Sequence, residues 1–250
     1  MMIRMEMLVI AILVLLLVLG KSGFVYLNLL LFLPFILMFG SGPYRAFSNF
    51  LIYDYLNCDT VIPESSRPII YVCNYPSSWL DYFVPGVFPS NICILGSSQM
   101  GKYFAKLAVP TEQVIVVNRP YVRRKSGKKI VSKNNGTFEQ TLAAVTEKIK
   151  RGFSIMCYVD SSVKRIHPRD IGELYHGMFA FSKILNIPIQ PVALDPIRRN
   201  RFGHFLNRRF WMKMGRRHIV EEEKRSMEEV RFFFRNSLEA FIERENEIKD

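Results

Sequence analysis

The sequence predicts an α/β domain, a mainly parallel sheet surrounded by helices, preceded by an N-terminal membrane hairpin or span. Three observations carry that expectation. The first forty residues are almost wholly apolar. Beyond them, short continuous apolar runs have the pattern of strands buried on both faces. Between those runs lie stretches with apolar residues at helical spacing.

The apolar start divides in two. Residues 7–20 carry no polar side chain, residues 21–23 (Lys-Ser-Gly) interrupt, and a second run over 24–40 is broken by Asn28 and Pro34. A perpendicular helical span needs about 20 residues to cross a hydrocarbon layer about 30 Å thick. Each run is shorter than that, so the pattern predicts a hairpin that enters one leaflet and returns, with Pro34 bending the second arm. One tilted span is the competing geometry. A cleaved signal peptide fits less well, because only Arg4 supplies a basic start and no small-x-small cleavage pattern precedes the second run. Residues 1–42 are therefore assigned to a membrane anchor and 43–250 to one α/β domain.

Within that domain, residues 68–73 (PIIYVC) form the first predicted strand, and 114–117, 153–159 and 187–194 repeat its pattern. Residues 137–151 place Phe138, Leu142, Val145 and Ile149 on one face and end in Lys150, Arg151 and Gly152, which predicts a helix with a defined stop. Residues 173–185 are a second helix, leading to the fourth strand. The basic stretch 123–133, with Gly127 inside it, reads as a solvated loop. In the last helix Ser226 and Glu229 fit a capping box, and Val230, Phe234, Leu238, Phe241 and Ile242 make one apolar stripe suited to packing on the sheet.

Composition narrows the partners. In 250 residues, 34 Lys and Arg against 22 Asp and Glu leave a formal charge of +12, which favours anions: phospholipid headgroups, phosphorylated substrates or nucleic acid. The cysteines, Cys58, Cys73, Cys93 and Cys157, have neither metal-like spacing nor neighbouring histidines, so no zinc site or disulfide framework is expected. Residues 198–218 mix cations with Phe202, Phe205, Phe210 and Trp211. RNA could stack on such a segment. Beside an apolar anchor, aromatics at the interface and cations on headgroups are the simpler account, and no nucleic acid is expected. The sequon Asn135-Gly136-Thr137 matters only if its segment faces a lumen.

Four blocks in order resemble the glycerolipid acyltransferases, the family that moves an acyl group from acyl-CoA to glycerol phosphate or a lysophospholipid. Residues 70–81 (IYVCNYPSSWLD) are similar to its first block, in which a buried strand ends in Asn-His, then x-Ser-Trp-x-Asp; Ser78, Trp79 and Asp81 keep their places. Residues 101–119 resemble the second, with Lys102, Pro110 and a strand that ends in Arg119. At the third, residues 158–162 (Tyr-Val-Asp-Ser-Ser) stand where the family has Phe-Pro-Glu-Gly-Thr, so Asp160 and Ser161 replace Glu and Gly. At the fourth, His176-Gly177 and residues 187–194 (IPIQPVAL) match a Gly-containing helix and an Ile-Pro-x-x-Pro-Val strand.

The resemblance implies a general-base histidine oriented by Asp81, yet the histidine position is Pro76, which cannot titrate. Tyr75 beside it, with an ordinary pKa near 10, is a poor base at neutral pH. His167 and His176 are the possible replacements. Ser78, Lys102, Arg119, Asp160 and Ser161 are the implied substrate-binding residues, with Arg119 suited to hold the acceptor's phosphate through paired hydrogen bonds. Asp81 without its histidine could equally cap a helix or pair with Lys102 or Arg119. Two functions follow: acyl transfer from acyl-CoA as co-substrate, with no bound cofactor, or a catalytically inactive lipid-binding or scaffolding protein. Either places the chain among membrane phospholipids, on the endoplasmic reticulum or another internal membrane with its domain facing the cytosol.

Overall fold

The computed structural model describes residues 41–75, 82–97, 113–117, 122–125, 128–131, 138–160, 171–195 and 210–247. The predicted anchor over 1–40 lies outside them. Among the described residues no helix is long and apolar enough to cross a membrane.

The chain enters through α1 (Ser41–Asn49), continues into a wide π-helical turn (Phe50–Tyr55), and reaches strand β1 (Ile70–Cys73), whose residues are all buried. A 3-10 turn (Val84–Val87) leads to β2 (Ile92–Ser97), then β3 (Val114–Val117) and a separate ribbon of β4 (Val122–Lys125) and β5 (Lys128–Val131). Helix α2 (Phe138–Lys150), β6 (Ser154–Tyr158), α3 (Gly177–Leu185), β7 (Ile189–Leu194), β8 (Met212–Met214) and α4 (Glu223–Glu247) complete it.

The main sheet has the order β3-β2-β6-β1-β7-β8. Every pairing in it is parallel except β7 with β8. β1 therefore lies between two strands that come much later in the chain, with Ile70 beside Ile155 on one side and Ile189 on the other. Because side chains alternate across a strand, the sheet feeds two cores. Tyr71, Cys73, Ile94, Met156, Val192 and Leu194 pack with Tyr44, Phe47 and Leu51 of the entry segment. Ile70, Val72, Cys93, Ile155, Cys157 and Ala193 pack on the other side with Val145 of α2, Phe179 of α3 and Phe234 of α4. A sheet covered on both faces explains why its central strands read as unbroken apolar runs.

Local chemistry sets the helix ends. Phe153 N–H reaches Lys148 O at 3.0 Å and Gly152 N–H reaches Ile149 O at 2.9 Å, a Schellman stop that needs the positive φ of Gly152 (83°). Asn186 (φ 53°) ends α3 in the same left-handed conformation. Gly86 has another role: a Cβ there would overlap the Ser48 side chain, so its lack of one lets α1 lie against the 3-10 turn.

Four corrections to the sequence expectations arise here. The stretch read as a solvated loop contains the paired strands β4 and β5, with Arg124 opposite Lys129 and Lys125 opposite Lys128. β2 and β8 were not anticipated. α3 starts at Gly177 rather than 173, because Leu174 instead bridges Asp160 in extended conformation. α4 starts at Glu223, so Ser226 is not its cap but a buried residue of the first turn, its N–H on Glu222 O at 3.0 Å. The predicted stripe holds, with Val230, Phe234, Leu238 and Phe241 buried.

Candidate functional site at the carboxyl edge of the sheet

Ligands of open parallel sheets bind beyond the carboxyl ends of the strands, and the sequence blocks converge on that edge. β1 is followed by Asn74 and Tyr75, β6 by Val159 and Asp160, and β7 by Asp195.

Asn74 is fully buried and joins β1 to β7 through its side chain. Its Nδ2 donates to Leu194 O at 2.8 Å, and its Oδ1 accepts from Leu194 N–H at 2.6 Å. The carboxamide thus imitates a peptide group and extends the strand pairing beyond Cys73. On the other side, Val159 N–H donates to Cys73 O at 2.9 Å, and the Tyr75 N–H donates to Asp160 Oδ1. Asp160 is 4% exposed, so its carboxylate is an internal acceptor that holds the end of β1 against the end of β6. Tyr75 and Tyr158 rings meet edge to face at 5.4 Å above that junction. Tyr175 N–H donates to Val159 O at 2.6 Å, which draws the segment before α3 onto the same edge. Asp195, also buried, is tied by its N–H to Trp211 O at 2.9 Å.

Of the predicted site residues, the structure places two. Asp160 is at the junction just described. His176 is exposed at the N-terminus of α3, two residues beyond the Leu174 that bridges Asp160, and its carbonyl accepts Ala180 N–H at 3.0 Å. Pro76, Ser78, Asp81, Lys102, Arg119, Ser161 and His167 lie outside the described residues. In the chain, Pro76 follows Tyr75 directly, Arg119 comes two residues after the end of β3, and Ser161 follows Asp160. The segment carrying Asp81 re-enters the described structure at Tyr82, whose carbonyl accepts the Tyr44 hydroxyl at 2.6 Å.

Sequence reasoning missed Asn74 and the Tyr44–Tyr82 contact. A polar residue placed directly after a fully apolar strand was the available sign for Asn74. The Tyr44–Tyr82 bond joins residues 38 apart and left no trace in spacing. The four cysteines are buried thiols. Burial pushes Cys58 and Cys93 up to about 11 and Cys73 well above its ordinary value, so none of these three supplies a thiolate at neutral pH.

No family model matches the chain, and no curated protein matches it. Its structure is similar to the crystal structure of the 1-acyl-sn-glycerophosphate (LPA) acyltransferase PlsC from Thermotoga maritima, with a TM-score of 0.52 at 12% sequence identity, over 80% of this chain and 79% of that one. Such identity speaks for the fold. The mostly parallel sheet and its flanking helices resemble an acyltransferase fold, as the four sequence blocks led one to expect.

Proposed function

We propose that this chain is a membrane-bound, acyltransferase-like protein that acts on phosphorylated glycerolipids, transferring an acyl group from acyl-CoA to a lysophospholipid or glycerol phosphate. One observation carries the reading. On a sheet whose fold resembles that of an LPA acyltransferase, Tyr75 and Asp160 are bonded at the carboxyl edge. These residues belong to the first and third blocks of the sequence resemblance, which are 85 positions apart.

In this reaction the acceptor hydroxyl oxygen attacks the thioester carbonyl, a base takes its proton, and the coenzyme leaves as a thiol. Arg119 would hold the acceptor's phosphate, with Lys102, Ser78 and Ser161 as further ligands. Asp160, committed to the Tyr75 N–H, would act by fixing the floor of the site. Asp81 would orient the replacement base, His167 or His176. Loss of a general base costs roughly a hundredfold to ten-thousandfold in rate, and Pro76 imposes that cost unless one of them substitutes. Pro76 thus favours a second reading, in which the chain binds lipid or scaffolds a partner without catalysis.

A membrane location is supported by α1. Its first residue follows the apolar stretch directly, and Tyr44, about 4.5 Å further along the helix axis, bonds the carbonyl that ends the Asp81 segment. An anchored lipid acceptor would then arrive beside the site. On this reading the anchor is residues 1–42, and the domain faces the cytosol from the endoplasmic reticulum or another internal membrane.

The test is acyl transfer from labelled acyl-CoA to lysophosphatidate and other lysophospholipids, by full-length protein in liposomes, beside Asp81→Ala and Pro76→His. Product from the native chain that disappears in Asp81→Ala supports the enzyme. No product from the native chain, and none regained in Pro76→His, leaves the lipid-binding reading.

A further inference from the structure

The β4–β5 hairpin brings like charges together. Its eight strand residues include Arg123, Arg124, Lys125, Lys128 and Lys129 and no acid. The register sets Arg124 opposite Lys129 and Lys125 opposite Lys128. Like charges directly across an antiparallel pair are destabilising, and a two-stranded ribbon is at best marginal in water. Among the described residues β4 and β5 pair only with each other and lie outside the main sheet. Such a ribbon gains stability wherever a dense anionic surface neutralises it.

Its place in the topology says where that surface would be. The hairpin sits in the connection between β3 and α2. β3 runs parallel to β2 and β6, and α2 leads back to the start of β6, so the connection leaves from the carboxyl edge. This is the edge that carries Asn74, Tyr75 and Asp160. Only four residues separate Val117 from Val122, which keeps the start of the hairpin within about 18 Å of the end of β3.

We propose that the β4–β5 hairpin is a docking element for anionic phospholipid, which presses the carboxyl edge of the sheet onto a negatively charged bilayer surface. The proposal rests on the reading of the chain as membrane-bound. A bilayer fits better than a nucleic acid, because the same chain carries the apolar stretch over 1–40. Each Lys or Arg close to an anionic surface is attracted to it, so several together offset the repulsion between them.

The test uses the full-length chain in lipid nanodiscs of phosphatidylcholine alone or with phosphatidylserine, and reads amide hydrogen exchange across residues 122–131, which needs no catalytic activity. Phosphatidylserine is expected to slow exchange in the hairpin about tenfold or more. Raising salt from about 0.1 M to about 1 M, which shortens the screening length from about 10 Å to about 3 Å, should abolish the difference. Arg124→Gln/Lys129→Gln, which leaves three of the five cations, should weaken the lipid dependence while keeping, or gaining, protection in neutral discs, since it removes a repulsive pair. Equal exchange in both discs overturns the proposal and leaves the membrane reading standing. A chain that enters neither disc overturns both. Protection by an RNA oligonucleotide with no response to phosphatidylserine overturns it in favour of nucleic acid.

Discussion

Asn74 and Leu194, 120 residues apart, are joined by two hydrogen bonds between one side-chain amide and one residue's backbone. Both partners are buried, so neither can turn to water instead. Asn74→Ala strands the N–H and the carbonyl of Leu194, each at about 1–3 kcal/mol. The variant should lose about 2–4 kcal/mol in denaturant unfolding. A loss below about 0.5 kcal/mol, the size of a surface substitution, would mean that the two strand ends hold together without the amide.

The contact between Gly86 and Ser48 predicts a coupled pair. Gly86→Ala drives a methyl group into the Ser48 side chain and should cost about 1–3 kcal/mol as overpacking. Ser48→Gly clears that space, so the double variant should be more stable than the sum of the single effects implies. Simple additivity in a double-mutant cycle would contradict the close approach.

Two neighbours in α4 should behave oppositely. Phe234 is fully buried and Phe232 is 64% exposed. Phe234→Ala should cost about 3–5 kcal/mol. Phe232→Ala should stay within about 0.5 kcal/mol, as measured by thermal or denaturant unfolding. A comparable loss at Phe232 would reveal a packing partner outside the described residues.

Buried thiols give a pH dependence at the alkaline end. Burial raises Cys58 and Cys93 from an ordinary 9.0 to about 11, so between those values the folded chain holds protons that the unfolded chain has released. Stability from these groups is whole below about pH 9 and is lost as pH rises through about 11. Unfolding free energies should therefore fall more steeply over that window in the native chain than in Cys58→Ala/Cys93→Ala. Parallel slopes would show that these thiols ionise as readily folded as unfolded.

Much of this architecture was legible because burial on both faces makes a strand apolar throughout. β1, β6 and β7 announced themselves in that way, β3 was apolar although it is an edge strand with Val116 exposed, and α2 showed itself through its spacing and its Gly152 stop. β2 has the same composition, but Gly96 near its end and the serines after it weakened the pattern. β8, with only three residues and Lys213 at its centre, is an antiparallel edge strand too short to show a period. In β4 and β5 the charges hid the pairing, since five of the eight residues are Lys or Arg and no apolar alternation marks a strand. The site divides along similar lines. Asp160 could be located from the motif around it, whereas the role of Asn74 depends on a strand more than a hundred residues away, which local spacing does not encode.

The central place of β1 also governs how the chain comes off the ribosome. β1 is made early, yet its neighbour β7 is completed only at Leu194, about 120 residues after Asn74. At about 5–20 residues per second, that delay is roughly 6–24 seconds. Throughout it, one side of a wholly apolar strand has no native mate, so the hydrogen-bonding edge that takes β7 stays open for that interval.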